Sequence, residues 1–435
     1  MHRALRTALL VLVIGVALPA AASAAQVTYG LGDAPGQFAR CADPSQPCCD
    51  DATASCPDGA VAGYYDNGLF RVLTSPASAH RITEVRLFVA YDAVAEFNGS
   101  TTSPGCQFSR VLSHSWNDEA GRVHPPGESW NDLRVSLVEA GAEHLTPVIS
   151  IAGYGVPHAR PGWDQPAPDP TTVAGYWEYR CGLQGILDAV SRLPLADQPH
   201  IWEAINEPDL LDTYTGDTRD TTGSCRPSLA GAVDGAAKAA CVYLIAEQEI
   251  HRFAGHGADT VIAGVFGHPG IPYLRDYAAL LARQAPGALY PTTWSVHDYN
   301  DVTASYAAPA LAPLEAFDTA LHADSGGAAR DLWVTEAGTE LTDLAPDTGC
   351  SHAPGLPETL GSCVNGQPAR QVMTAAAFFA LPQAGVAVPI THLFWYEWQA
   401  AYGWDSAITD AVGAPRAPWC AFYGGGVCGG SPDAQ

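Results

Sequence analysis

The sequence predicts an α/β chain whose parallel strands close into a single (β/α)8 barrel. Three observations lead there. Strand-like apolar runs alternate with helix-period segments along most of the length, and the strand-like runs number eight. The turn after the first run, "GLGDAPG", lacks the G-x-G-x-x-G spacing and opens no helix, so the phosphate-binding turn of an open doubly wound sheet is missing. Eight strand–helix units suit closure better than that open sheet, which is the runner-up.

In chain order, the first strand is "VTYGLGD" from Val27, followed by only a hint of a helix between Leu69 and Ala79. The second is "ITEVRLFVAY" from Ile82, followed by a helix over Asn131 to Glu143. The third, "LTPVISIAGY" from Leu145, precedes a helix over Val173 to Leu193, with a Pro-rich loop from Pro157 to Pro170 between them. The fourth starts at His200 in "HIWEAINEPDLL". Its apolar alternation runs from Ile201 to Ile205, and Pro208 cannot donate to a ladder, so the strand is expected to stop near Asn206 and Glu207. A helix over Gly231 to Phe253 follows.

"DTVIAGVFG" from Asp259 and a helix over Tyr273 to Gln284 form the fifth unit, and "PTTWSVHDY" from Pro291 with Leu311 to His322 the sixth. "DLWVTEAGT" from Asp331 and a helix over Ala369 to Leu381 form the seventh. The eighth strand, "PITHLFWYEW" from Pro389, leads into a Gly- and Pro-rich tail with no obvious helix. Most runs are dense in Val, Ile and aromatic residues, as strands covered on both faces require.

The ends of the chain read differently. Arg3 and Arg6, an apolar stretch from Leu9 to Ala20 and the small-residue run "AASAA" form a secretory signal ending at Ala24. A dozen or so apolar residues fall short of the roughly 20 that span a bilayer. The expected organisation is residues 1–24 as leader, 25–419 as the barrel domain and 420–435 as a Cys- and Gly-rich tail, in a secreted, extracellular monomer. The formal net charge is −25 and Lys238 is the only lysine, a surface that repels phosphate backbones and anionic lipid. Neither nucleic acid nor a membrane is therefore an expected partner.

Twelve cysteines in an exported chain point to disulfides. Short spacings suggest Cys225–Cys241, Cys350–Cys363 and Cys420–Cys428. Cys48 and Cys49 are adjacent and pair outward, with Cys41, Cys56, Cys106 and Cys181 all candidates. Zinc-type C-x-x-C spacing is absent; Asp43, Asp50, Asp51 and Asp58 could hold a calcium ion but lack EF-hand spacing, and a solvated acidic loop is the favoured reading, so no metal or other cofactor is expected. Asn98 begins a glycosylation sequon, "NGS".

Reactive groups of such a barrel sit at the C-terminal strand ends. Strand two carries Arg86, strand four Asn206 and Glu207, strand six His297 and Tyr299, strand seven Glu336, and strand eight Trp395, Glu397 and Trp398. Two carboxylates on separate strands, beside an amide, an arginine, a tyrosine and tryptophans, supply what glycosidic bond cleavage needs: an acid, a nucleophile or base, and flat apolar faces for sugar rings. Alternation puts Trp395 and Trp398 on opposite faces, and Trp395 is the one expected in the site. Glu203 and Glu340 lie near the pair and rank behind it. A lyase or aldolase would want a Schiff-base lysine or a metal cluster, and Lys238 sits on a helix.

"NEP" after strand four with "TEAG" after strand seven resembles the clan A glycoside hydrolases, retaining enzymes built on the TIM barrel. The resemblance covers nearly the whole mature chain. It implies Glu207 as general acid and base, Glu336 as nucleophile, and Asn206 holding the 2-hydroxyl of the sugar attacked. It further implies that Arg86 and Tyr299 hydrogen-bond Glu336, while His297 and Trp395 shape the subsite. "PVISIAGYGVP", with Tyr154 where cellulase-like members often carry histidine, is closer to the family 39 xylosidase branch. The function implied is a retaining hydrolase of polysaccharides or oligosaccharides. A transglycosylase using the same residues and a catalytically idle carbohydrate-binding barrel are the alternatives.

Overall fold

The computed structural model describes residues 27–32, 68–91, 93–94, 106, 116–117, 123–124, 128–152, 169–170, 172–209, 235–267, 271–284, 290–299, 302, 314, 317, 319–321, 331–338, 340–341, 363–364, 368–383, 389–397, 406–409 and 416–424. Eight parallel strands form a closed barrel: β1 (Thr28–Gly32), β2 (Ile82–Ala90), β3 (Thr146–Ala152), β4 (Ile201–Glu203), β5 (Thr260–Phe266), β6 (Thr293–His297), β7 (Asp331–Ala337) and β8 (Ile390–Tyr396). Each strand pairs with its sequence neighbours, and β8 pairs with β1 to close the ring.

Helices α1 (Gly68–Thr74), α2 (Glu128–Ala142), α3 (Val173–Val190), α4 (Gly235–Arg252), α5 (Ile271–Gln284) and α6 (Pro368–Ala380) occupy the expected crossovers. Residues 314, 317 and 319–321 are helical within the expected sixth crossover. Thr172 starts α3 by accepting the Gly175 N–H on its hydroxyl at 3.0 Å, which satisfies one of the four donors that a helix start leaves open.

Strand alternation divides the core in two. Val148, Ile262, Val265, Trp333 and Phe394 form a cluster inside the barrel, and a larger cluster including Leu87, Tyr179, Trp202, Trp294 and Phe378 lies between strands and helices. On β1, Gly30 and Gly32 make room for aromatic rings of β8: a Cβ at Gly30 would run into the Phe394 ring, and one at Gly32 would lie 3.0 Å from the Tyr396 ring.

Two sequence expectations need correction. A helix, α7 (Ala417–Tyr423), does follow β8, and it crosses the boundary drawn at 419/420. Phe422 is fully buried against Phe379 and Tyr29, while the Phe422 and Tyr423 carbonyls accept the His80 and Ala79 N–H groups. α7 therefore belongs to the barrel. It was hidden because Pro418 and Cys420 read as tail, although Pro is favourable in a first turn. Gly424 ends it at φ +87°, with a Cβ position occupied by Ala79.

The second correction concerns cysteines. Cys106 and Cys181 are bonded to each other, with Cα atoms 5.1 Å apart, which removes both as partners for Cys48 and Cys49. Cys241 and Cys420 are each in a disulfide. The partners expected for them, Cys225 and Cys428, lie outside the described residues, as do Cys41, Cys48, Cys49, Cys56 and Cys350. Also outside are the expected leader, residues 1–24, and Asp43, Asp50, Asp51, Asp58, Asn98, Tyr154 and Trp398. Among the described residues no helix is long and apolar enough to cross a membrane.

Candidate active site

Arg86 is the centre of the barrel's C-terminal end. Its position on β2 faces the lumen, with the guanidinium 4.5 Å from the Phe88 ring on the same strand, and the side chain is completely buried. Burying a guanidinium is costly unless its donors are answered, and here each of the three nitrogens has a partner. Nε donates to Glu203 Oε2 at 2.7 Å, and Nη1 to Glu336 Oε1 at 2.5 Å. Nη2 donates to Ser150 Oγ at 2.9 Å and Asn206 Oδ1 at 2.6 Å, and lies 3.4 Å from His297 Nε2. The two carboxylates, Glu203 and Glu336, outweigh the burial that opposes the charge and raise its pKa above the ordinary arginine value. The cation is permanent.

The backbone delivers the two glutamates differently. On β7 the pairing with β6 passes from Val334 directly to Glu336, skipping Thr335, so the bulge turns Glu336 inward beside His297. Regular pairing of β4 stops earlier than expected, at Glu203, and the chain bends through 204–206. Two backbone bonds then spread it between its neighbours: the Asn206 N–H donates to Ile151 O of β3 at 2.8 Å, and the Glu207 N–H to Val265 O of β5 at 3.0 Å. Both Glu207 (φ +42°) and Val265 (φ +57°) occupy the left-handed region, costly for a glutamate and more so for a β-branched residue. The bulge in β5 between Gly264 and Phe266 accompanies this geometry.

Glu207 Oε1, His297 Nδ1 and a Glu336 carboxylate oxygen all lie within 4.8 Å of one another. Their surroundings differ. Glu336 Oε2 accepts the Tyr299 hydroxyl at 2.8 Å while Oε1 takes the guanidinium. Burial first, then the charge of Glu336 and the neighbouring Tyr396, raise the Tyr299 pKa well above the ordinary phenol value, so the hydroxyl stays a donor. Glu207, with its side chain 19% exposed against 7% for Glu336, meets the imidazole at 2.8 Å.

Arg86 also sets the tautomer of that imidazole. A guanidinium N–H can only donate, so His297 Nε2 presents its lone pair and Nδ1 carries the hydrogen, aimed at Glu207 and 3.4 Å from Glu336 Oε2. The same hydrogen makes Nδ1 a poor metal ligand. A second cluster, His200, His256 and Asp259, also gathers three ligand types within 4.8 Å. There Asp259 accepts from His200 Nδ1, His256 Nδ1 and Trp202 Nε1 at 2.6–2.7 Å. Metal binding through His256 Nδ1 would move the ring hydrogen to Nε2, which is buried with no acceptor. Neither cluster has donor chemistry that fits an ion.

Of the residues singled out from sequence, Arg86, Asn206, Glu207, His297, Tyr299 and Glu336 meet in one place. Trp395 does not. It is 1% exposed on the helix-facing side of β8, edge-on to Phe378 at 5.1 Å between ring centres, and its Nε1 donates to Ser406 O at 2.7 Å. The lumen-facing residues of β8 are His392 and Phe394, stacked on Trp333, and then Tyr396, which borders Tyr299. The sequence reading placed Trp395 one residue out of phase. The sequence reading leaves out Ser150 and ranks Glu203 behind the pair, although each shares its strand's inward parity with a lumen residue, Val148 and Ile201. Glu340 begins a two-residue ladder with Cys363–Val364.

No protein-family model and no curated protein matches the sequence. Solved structures do resemble the fold. They include a family 39 glycoside hydrolase from Bacteroides cellulosilyticus WH2, at 15% identity and TM-score 0.48, with 91% of this chain and 62% of that one covered. The exo-β-1,4-mannosidase Op5Man5 from Opitutaceae bacterium strain TAV5 matches at 13% identity and TM-score 0.48, over 93% of this chain and 60% of that one. A fungal β-1,4-galactanase matches at 14% identity and TM-score 0.50, over 91% and 99%. The chain thus spans about three fifths of the first two. Identities this low carry the fold alone, the closed eight-stranded parallel barrel.

Proposed function

We propose that the protein is an exported retaining β-glycoside hydrolase acting on polysaccharides or their oligosaccharides. The observation that carries this reading is the approach of Glu207 and Glu336, with carboxylate oxygens within 4.8 Å. Retaining enzymes hold their carboxyl groups about 5–5.5 Å apart, whereas inverting ones leave about 6.5–9.5 Å for a water molecule.

The asymmetry around the pair assigns the roles. Glu336, bonded by a permanent cation and a phenol, is the carboxylate that attacks the anomeric carbon. Glu207, answered by a neutral imidazole and more open to solvent, gives its proton to the departing glycosidic oxygen as that C–O bond breaks. The product of this step is an ester between Glu336 and the sugar. Glu207, now a carboxylate, takes a proton from water, whose oxygen displaces Glu336 and restores the original anomeric configuration. Asn206 Oδ1 is engaged by Arg86, which directs its amide N–H groups to a sugar hydroxyl.

The test is a panel of aryl glycosides and plant and microbial polysaccharides, followed by a fluorosugar trap and peptide mass analysis. Release of reducing sugar with the label on Glu336 is the expected result. Label on any other residue, or binding of sugar without release, removes the assignment.

A further inference from the structure

Glu203 is the charged member of the Arg86 network that the proposed reaction leaves without a task. It is fully buried, Oε2 takes the Arg86 Nε hydrogen at 2.7 Å, and Oε1 has no hydrogen-bond partner. A buried carboxylate with an oxygen unanswered is a poor stabilising device, because an ion pair taken out of water gains little over apolar packing of the same volume. Its place suggests another use. Among the described residues Arg86 is the only cation that the hydrogen bonds put on Glu336, and Glu203 draws on the same guanidinium through Nε.

We propose that Glu203 is a positioning residue that neutralises Arg86, so that the guanidinium orients the Glu336 carboxylate without withdrawing the electron density it needs as a nucleophile. The inference rests on the reading of Glu336 as nucleophile. Alone with Arg86, Glu336 would form a closed ion pair: easy to keep ionised, poor at attacking carbon, and quick to leave once esterified. With Glu203 present the guanidinium charge is divided between two carboxylates. The other groups facing Glu336 are His297 from β6, Tyr299 just beyond it and Glu207 from beyond β4, while Tyr396 of β8 borders Tyr299. The neutral tautomer of His297 leaves Arg86 and Glu203 as the opposed charges that decide the balance.

The experiment compares wild type, Glu203→Gln and Glu203→Asp by pH profiles of kcat/KM on an aryl glycoside, with fluorosugar labelling of each. Gln keeps the shape and the hydrogen bond to Arg86 but removes the charge. Its acidic limb is expected to move down by about one pH unit or more, since a unit charge a few ångströms away in a protein interior is felt at that level. Formation of the glycosyl-enzyme should slow while its hydrolysis speeds up. Glu203→Asp restores the charge and returns the limb to its wild-type position, even if the rate falls. A role in packing alone would lower rates in both variants and leave the limb in place, which overturns the inference. Should Glu203→Gln not fold, Glu203→Asn takes its place as the uncharged variant: a limb moved down relative to Glu203→Asp supports the charge role, and a limb shared by the two overturns it. Wild-type protein labelled at Glu336, with an unmoved limb in Glu203→Gln, refutes Glu203 alone. Absence of labelling at Glu336 in the wild type removes the nucleophile reading and this inference with it.

Discussion

Replacing Asp259 with alanine tests how the opposite end of the barrel is held. Its carboxylate precedes β5 and gathers Trp202 Nε1, His256 Nδ1 and His200 Nδ1 at 2.6–2.7 Å. Trp202 and His256 are fully buried, so alanine strands two donors with no water to replace the acceptor. Each costs about 1–3 kcal/mol, and His200, half exposed, adds little because it rehydrates. The expected loss is therefore about 4 kcal/mol at pH 7, a large share of the stability of any domain. The effect has a definite pH signature. Although burial pushes the Asp259 pKa up, the three hydrogen bonds outweigh it and hold the carboxyl below its ordinary value. A depressed carboxyl stabilises fully above its unfolded value, near 4, and loses that contribution as pH falls further. Urea unfolding with disulfides intact, followed by tryptophan fluorescence and circular dichroism, should give a gap between wild type and Asp259→Ala that is widest at neutral pH and narrows below about pH 4. A gap under about 1 kcal/mol at pH 7, or one that does not narrow in acid, would refute this account of the three bonds.

Three further expectations concern the site and its surroundings. Glu207→Ala and Glu336→Ala should each lose at least about a hundredfold in kcat/KM, with azide rescuing the two with opposite anomeric products, as polarimetry or NMR would record. Equal anomers from both would contradict the assigned roles. Trp395→Phe should cost about 1 kcal/mol through the lost bond to Ser406, measured by thermal melting, with KM unchanged; a tenfold rise in KM would return Trp395 to the sugar site. Glu84, buried on β2 and near Asp331, has its pKa raised to about 8 by burial first and then by that neighbour. A raised carboxyl gives stability that is full below the unfolded value and lost as pH rises through the folded one. Burial lowers the nearby His392 to about 4, which leaves it neutral across that window. Wild-type stability should fall between about pH 5 and pH 8 and Glu84→Gln should flatten the fall, so parallel melting curves across that range would remove the argument.

The barrel was legible because its strands are covered on both faces and read as apolar runs, bounded within about two residues of where they lie except at the end of β4, which stops at Glu203. Arg86, Glu207, His297, Tyr299 and Glu336 were legible because a parallel barrel sends strand tips to one end whatever the loops do. What the sequence could not convey was phase after an irregularity. Parity along β8 decides between Trp395 and Tyr396, and the one-residue choice went the wrong way. The skipped Thr335, which turns Glu336 inward, and the positive φ of Glu207 and Val265 leave no compositional mark. Glu203 lies short of the expected strand tip, so only its parity with Ile201 marks it as facing the lumen. α7 was missed because a seven-residue helix with proline at its start has too few turns to display a period.

The mounting of Glu207 bears on how this mouth could be rebuilt. Its placement comes from amide hydrogens caught by the Ile151 and Val265 carbonyls, parts of the main chain that no side-chain exchange removes. The socket is therefore indifferent to its cargo. A cysteine, serine or histidine set at position 207 would emerge at the same point beside His297, which makes this a place where new reactivity can be installed without redesigning the surrounding scaffold.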